Sequence, residues 1–225
     1  MKSSSVSFLY WRLSGFYFFY FASLGALIPY WSLYLKDLGF SVREISELMA
    51  LILLTKIIAP NIWGWIADHT GQRMRIVRIG SFLAAIIFAA VFLTTNYWWI
   101  ALVMLSFSFF WNAALPQFEA TTLQHLDDQP HRYSGIRLWG SIGFIISVAC
   151  LGYLLESYSI SLLPLSVFIC MLGIFLMSLF VPERAAGHLS VSGIKLKEII
   201  FRPEVLALII VCFLSQASHG AYYTF

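Results

Sequence analysis

Between residues 7 and 181 the chain is a succession of apolar runs broken by short polar links. The runs cover residues 7–35, 44–67, 75–94, 98–124, 134–155 and 161–181. At about 1.5 Å per residue a helix needs roughly 20 residues to cross a hydrocarbon core about 30 Å thick, and each run is near or beyond that length. Composition agrees, since 60% apolar, 17% aromatic and 11% charged residues exclude a soluble domain. The first run is longer than the apolar core of a secretory signal and does not end in small residues, so it is expected to stay in the mature protein. Cys150, Cys170 and Cys212 all fall inside apolar runs without paired spacing, which predicts neither a disulfide framework nor a metal site.

The link at residues 64–78 joins the second and third runs and carries Asp68, the turn-forming Gly71 and the basic residues Arg73, Arg75 and Arg78. Basic residues stay on the cytoplasmic side of a membrane, so this link sets the orientation. Sorting the other Lys and Arg of the chain ends and links by alternate sides puts Lys2, Arg132, Arg137, Arg184, Lys195, Lys197 and Arg202 with it, and only Lys36 and Arg43 opposite. The bias predicts a multi-pass protein of the cell inner membrane with a cytoplasmic N-terminus. Three segments are expected: a six-helix transmembrane bundle over 1–181, a cytoplasmic linker over 182–203, and the start of a seventh helix over 204–225.

Charged groups within the spans need a partner or a water-filled cavity, because an ammonium or carboxylate at bilayer depth costs about 3 kcal/mol or more. Lys56 lies about 18 Å deeper than Asp68 along one helix, near the midplane. It is expected to face a central cavity and meet a carboxylate of the solute, a salt bridge within the bundle being the alternative. Glu119 and Arg137 are equally far in sequence from position 128, in the turn of a helical hairpin, so they lie at similar depth and can pair. That pair serves either a solute or helix packing. Arg12, near a helix end, is expected to snorkel to the headgroups. Gly140, Ser141 and Gly143 would permit close helix contact. In the seventh run, Gln216, His219 and Tyr223 fall along one face beside Tyr222, and His219 can carry a proton or serve as a packing residue.

The pattern Gly-x-x-x-Asp-x-x-Gly-x-Arg, at Gly64, Asp68, Gly71 and Arg73 and more loosely Arg75, resembles the loop between helices 2 and 3 of the major facilitator superfamily. A closer resemblance spans essentially the whole chain. Tyr30-Trp31-Ser32-Leu33-Tyr34-Leu35-Lys36, Lys56, Pro116-Gln117-Phe118-Glu119, Arg137-Leu138-Trp139-Gly140-Ser141 and Gln216-x-x-His219-x-x-Tyr222-Tyr223 look like the 3-phenylpropionate permease family, a relative of lactose permease. The resemblance implies an all-α integral membrane protein, the N-terminal six-helix bundle of a twelve-helix major facilitator fold with a truncated seventh helix. Most of the second half is therefore expected to lie outside this sequence. It also implies proton-coupled import of a small organic solute by alternating access.

An aromatic carboxylate is the expected solute, with Lys56, Glu119, Arg137, Tyr17 and Tyr20 as binding residues and Glu119 or His219 as the proton carrier. Asp68 is expected to accept hydrogen bonds from neighbouring N–H groups or basic side chains and to latch a cytoplasmic gate. A sugar or nucleoside symporter is the alternative. An enzyme or membrane sensor would need a catalytic cluster or a soluble signalling domain, and the sequence offers neither. The expected partners are the solute, protons and the lipid bilayer, with no cofactor, metal ion or nucleic acid.

Overall fold

The computed structural model describes residues 2–127, 129–184 and 201–224, with side chains described for 8–127, 129–184 and 201–215. It divides into two units, residues 1–187 and 188–225. The first holds α1 (Lys2–Asp37), α2 (Val42–Thr70), α3 (Arg73–Ala89), α4 (Tyr97–Leu126), α5 (Tyr133–Ser157) and α6 (Leu163–Phe180). Each of these, with its flanking 3-10 turn where one exists, is long and apolar enough to cross a membrane. The second unit holds α7 (Pro203–Thr224). Among the described residues there is no strand.

Local chemistry sets the helix ends. Ser41 and Glu44 form a capping box, the Ser41 Oγ accepting from the Glu44 N–H and the Glu44 carboxylate from the Ser41 N–H at 2.8 Å, which starts α2. Gly71 ends it in the left-handed region, at φ 66°, with its N–H donating to the Ala67 carbonyl at 2.8 Å. Asn96 starts α4 by accepting from the N–H groups of Trp98 and Trp99 at 3.0 and 3.4 Å. Two ends depart from expectation. The third apolar run was expected to stay helical to residue 94, but α3 closes at Ala89 and tightens into a 3-10 turn, Ala90–Phe92, before the Thr-Thr-Asn link. The sixth run enters through a 3-10 turn, Ile160–Leu162, because Pro164 fits the first helical turn and not a helix interior.

α1 is packed on α5 and α6, α4 on α2 and α3, and α3 also on α6. Aromatic rings join α1 to α4: Phe16 stacks on Phe118 with centroids 3.6 Å apart, and Tyr20 on Trp111 at 5.2 Å. Close approach of α1 and α5 depends on glycine. A Cβ at Gly143 would strike the Phe18 carbonyl, and one at Gly25 would lie 2.8 Å from the Phe144 carbonyl oxygen. α2 is held to α4 by a buried polar knot, with the Thr55 and Ser108 hydroxyls 2.8 Å apart and the Asn112 amide donating to Thr55 at 3.2 Å. α2 and α5 are the least buried spans, each keeping one broad face open, whereas α1 and α4 are half buried. Large apolar side chains such as Leu53, Ile57, Ile145 and Leu176 are exposed, the pattern of a surface solvated by lipid.

Candidate functional site

The α4–α5 hairpin brings Glu119 and Arg137 together, about two turns before the end of α4 and one turn after the start of α5. Arg137 Nε lies 3.6 Å from Glu119 Oε1, and the two side chains are 31% and 35% exposed. The Tyr133 hydroxyl, one turn before Arg137, donates to the same Glu119 oxygen at 3.4 Å. At 3.6 Å the ion pair exceeds hydrogen-bond length, and no group among the described residues accepts a hydrogen bond from the Arg137 guanidinium. Its Cζ sits instead 3.8 Å above the centre of the Phe21 ring and 5.6 Å from that of Tyr17. Gly140, one turn further along α5, leaves the room this requires.

Tyr17 and Tyr20 belong to the same cluster but are buried. Tyr17 donates its hydroxyl to Thr122 Oγ1 at 3.3 Å, and Tyr20 lies between Phe16 and Trp111. Both form the packed layer behind the charged pair and do not line an open wall. Lys56 stands apart. It is exposed on α2, next to the buried Thr55, and neither an ion pair nor a hydrogen bond joins it to any described residue. The alternative reading, a salt bridge within the bundle, is therefore not formed among the described residues. Arg12 is half-buried with its guanidinium 3.8 Å over Phe8, and its Nε is enclosed without a partner among the described residues. The side chains of Gln216, His219, Tyr222 and Tyr223, and Lys195 and Lys197 of the expected linker, lie outside the described residues. No group of three metal-ligating side chains forms among the described residues.

In the 64–78 link, Arg73 Nη2 donates to Asp68 Oδ1 at 2.9 Å across the turn made by Gly71, while Arg75 turns to the Gln72 side-chain oxygen at 2.9 Å. Gly64 packs near the Gln117 amide. A residue that sequence reasoning passed over completes this end. α3 has no side-chain cap of its own, and the Glu183 carboxylate accepts from the N–H groups of Met74 and Arg75 at 3.0 and 3.1 Å. In return, Arg78 donates to the carbonyls of Ser178 and Val181 at 3.3 and 2.6 Å, closing the C-terminus of α6. Arg184 donates to the Gln124 carbonyl and contacts Asp127 at 3.3 Å, which ties the end of α4 to the same point. The signal was the acid-base step Glu183-Arg184 directly after the sixth apolar run, opposite an uncapped basic helix start.

A half-buried guanidinium with its N–H groups unengaged, one carboxylate beside it and an aromatic face beneath it can take a carboxylate in two-point fashion. It can equally present donors and acceptors to a hydroxylated solute. Comparison with known proteins narrows the setting. Over 213 residues the chain is 27% identical to the probable 3-phenylpropionic acid transporter of Escherichia coli (strain K12), covering 93% of this chain and 56% of that protein. Over 145 residues it is 33% identical to the maltose permease of Geobacillus stearothermophilus, covering 62% of this chain and 36% of that protein. The chain thus spans about half or less of the length of these relatives. The nucleoside transporter NupG, solved as its D323A mutant, superposes with a TM-score of 0.73 at 18% identity, over 90% of this chain and 50% of that one, a likeness of fold. The profile of the MFS_1 like family matches residues 10–225, and the chain belongs to that family of multi-helix membrane transporters.

Proposed function

We propose that this protein is a proton-coupled symporter that imports a small aromatic carboxylate by alternating access. The observation that carries the reading is the Arg137 guanidinium, stacked on Phe21, 3.6 Å from Glu119 and engaged in no hydrogen bond among the described residues. The kinship with a probable 3-phenylpropionic acid transporter supports a solute of that class. Glu119 is the preferred proton carrier and His219 the other candidate. Tyr17 and Tyr20 shape the binding residues from behind. In this reading the protein lies in the inner membrane with its N-terminus in the cytoplasm. Residues 182–203 link the first bundle to a second one that begins at 204–225, and Gly64, Asp68, Gly71, Arg73 and Arg75 latch the cytoplasmic side. A neutral sugar as solute is the second reading, favoured by the maltose permease relative. The deciding experiment measures uptake of radiolabelled 3-phenylpropionate, maltose and uridine into energised vesicles carrying the complete protein. Accumulation of the acid alone, abolished by a protonophore, is the expected result. Accumulation of maltose or uridine without the acid would discard the proposal.

We assign Lys56, which stands apart from the Glu119–Arg137 pair, as a second positive charge for the solute. It is exposed on α2 at mid-span, with no partner in the described residues, so a solute anion or a carboxylate outside them is its counter-charge. Lys56→Gln is expected to weaken 3-phenylpropionate binding more than tenfold with an unchanged melting temperature. Unaltered affinity in a normally folded variant would remove Lys56 from the binding site.

A further inference from the structure

We infer that Phe21 and Gly140 are specificity-determining residues: together they hold the Arg137 guanidinium in the one plane that favours a carboxylate over a neutral solute. This rests on the reading that Arg137 takes the solute's carboxylate. Three groups are packed into one contact. The guanidinium carbon lies 3.8 Å above the Phe21 ring centre. A Cβ on Gly140 would come within 2.7 Å of the Phe21 ring and 2.9 Å of Arg137 Nη1, so any larger residue there pushes both from their places. Gly140 is buried, so a Cβ there has no other direction to take than toward these two side chains.

The Phe21 ring covers the guanidinium from one side at 3.8 Å, and the N–H groups of a guanidinium, which lie in its own plane, stay free for a solute. The ring also excludes water from that face, so the in-plane edge carries the remaining solvation. Glu119 takes up the Nε side from 3.6 Å. The edge formed by the two terminal nitrogens matches the two oxygens of a planar carboxylate, each accepting one N–H. A neutral amide or hydroxyl engages that edge at one point only. A guanidinium released from Phe21 could tilt toward Glu119 and close the ion pair to hydrogen-bond length, and it would then offer the solute less. The groups that face Arg137 from the packed elements are Glu119 on α4, Tyr133 on α5, and Tyr17 and Phe21 on α1.

The test uses isothermal titration of the complete protein with 3-phenylpropionate and its uncharged analogue 3-phenylpropanamide. Phe21→Leu keeps an apolar side chain of similar bulk and removes the π face. It is expected to raise the Kd of the acid about five- to thirtyfold while moving that of the amide less than about twofold. Gly140→Ala should act in the same direction, and Phe21→Tyr, which keeps the ring, should restore the acid's affinity. In an Arg137→Lys background, where no planar fork remains, Phe21→Leu should have no further effect on the acid. Equal losses for both probes, or a full Phe21→Leu effect in the Arg137→Lys background, would show a packing role and overturn the inference. Arg137→Gln protein that binds the acid like the unmodified protein would overturn the underlying reading as well.

Discussion

Gly143→Val is expected to keep the first unit from assembling stably. The Cβ of any larger residue at 143 would lie 2.9 Å from the Phe18 carbonyl carbon and 3.0 Å from the Phe18 Cα, closer still to its carbonyl oxygen. These are backbone atoms within α1, and they move only if the helix moves. α1 packs on α5 along its length, with Gly25 of α1 making a similar close approach to the Phe144 carbonyl, so the two helices cannot part at one point and keep the other. Overpacking of this kind costs about 1–3 kcal/mol where side chains can yield, and more where backbone is struck. A fall in Tm of about 10 °C or more, or loss of a monodisperse peak in detergent, is the expected readout. Gly135→Ala is the control. A Cβ there meets only the Tyr10 hydroxyl, at 3.9 Å, and should leave Tm within about 2 °C. A melting temperature for Gly143→Val equal to that of the unmodified protein would mean that α1 and α5 are farther apart than the structure has them.

Much of this arrangement is legible in the chain. Apolar runs of bilayer length give the six spans within a few residues of their ends, because lipid leaves the backbone no partner except its own helix. Equal sequence distance from position 128 puts Glu119 beside Arg137, since an antiparallel hairpin converts equal distance into equal depth. Gly140 and Gly143 do lie at close helix contacts, while Ser141 between them points outward, as the helical period requires.

Other features depend on neighbours that the sequence does not place. Depth along α2 says that Lys56 is near the midplane, but the face it occupies follows from which helix covers α2, and within the first unit, among the described residues, only α4 does so extensively. Tyr17 and Tyr20 carry polar hydroxyls that suggest a site wall, yet the Phe16–Phe118 and Tyr20–Trp111 stacks bury them. Glu183 could be recognised as a cap only once the end of α6 was known to meet the start of α3.

Glu119→Gln is expected to abolish uphill accumulation of 3-phenylpropionate while leaving exchange down a gradient measurable. In the proposed function Glu119 and the solute's carboxylate compete for one guanidinium, and two carboxylates at the same fork repel each other. A proton on Glu119 removes that repulsion and releases Arg137 to the solute. Protonated Glu119 and bound anion therefore stabilise each other, and by thermodynamic linkage each increases the affinity for the other. The Tyr133 hydroxyl, 3.4 Å from the same Glu119 oxygen, can reorient to accept from the protonated acid, so the neutral state is not left without a partner. Glutamine at 119 imitates the protonated state permanently. It should bind the anion at least as tightly as the parent, lose the pH dependence of that binding, and carry solute without a proton. Counterflow in proteoliposomes should then persist, and accumulation driven by a pH gradient should fall to the equilibrium level. Accumulation at the parental level in Glu119→Gln would take the coupling proton away from this pair, and loss of accumulation in His219→Gln alone would assign it to α7.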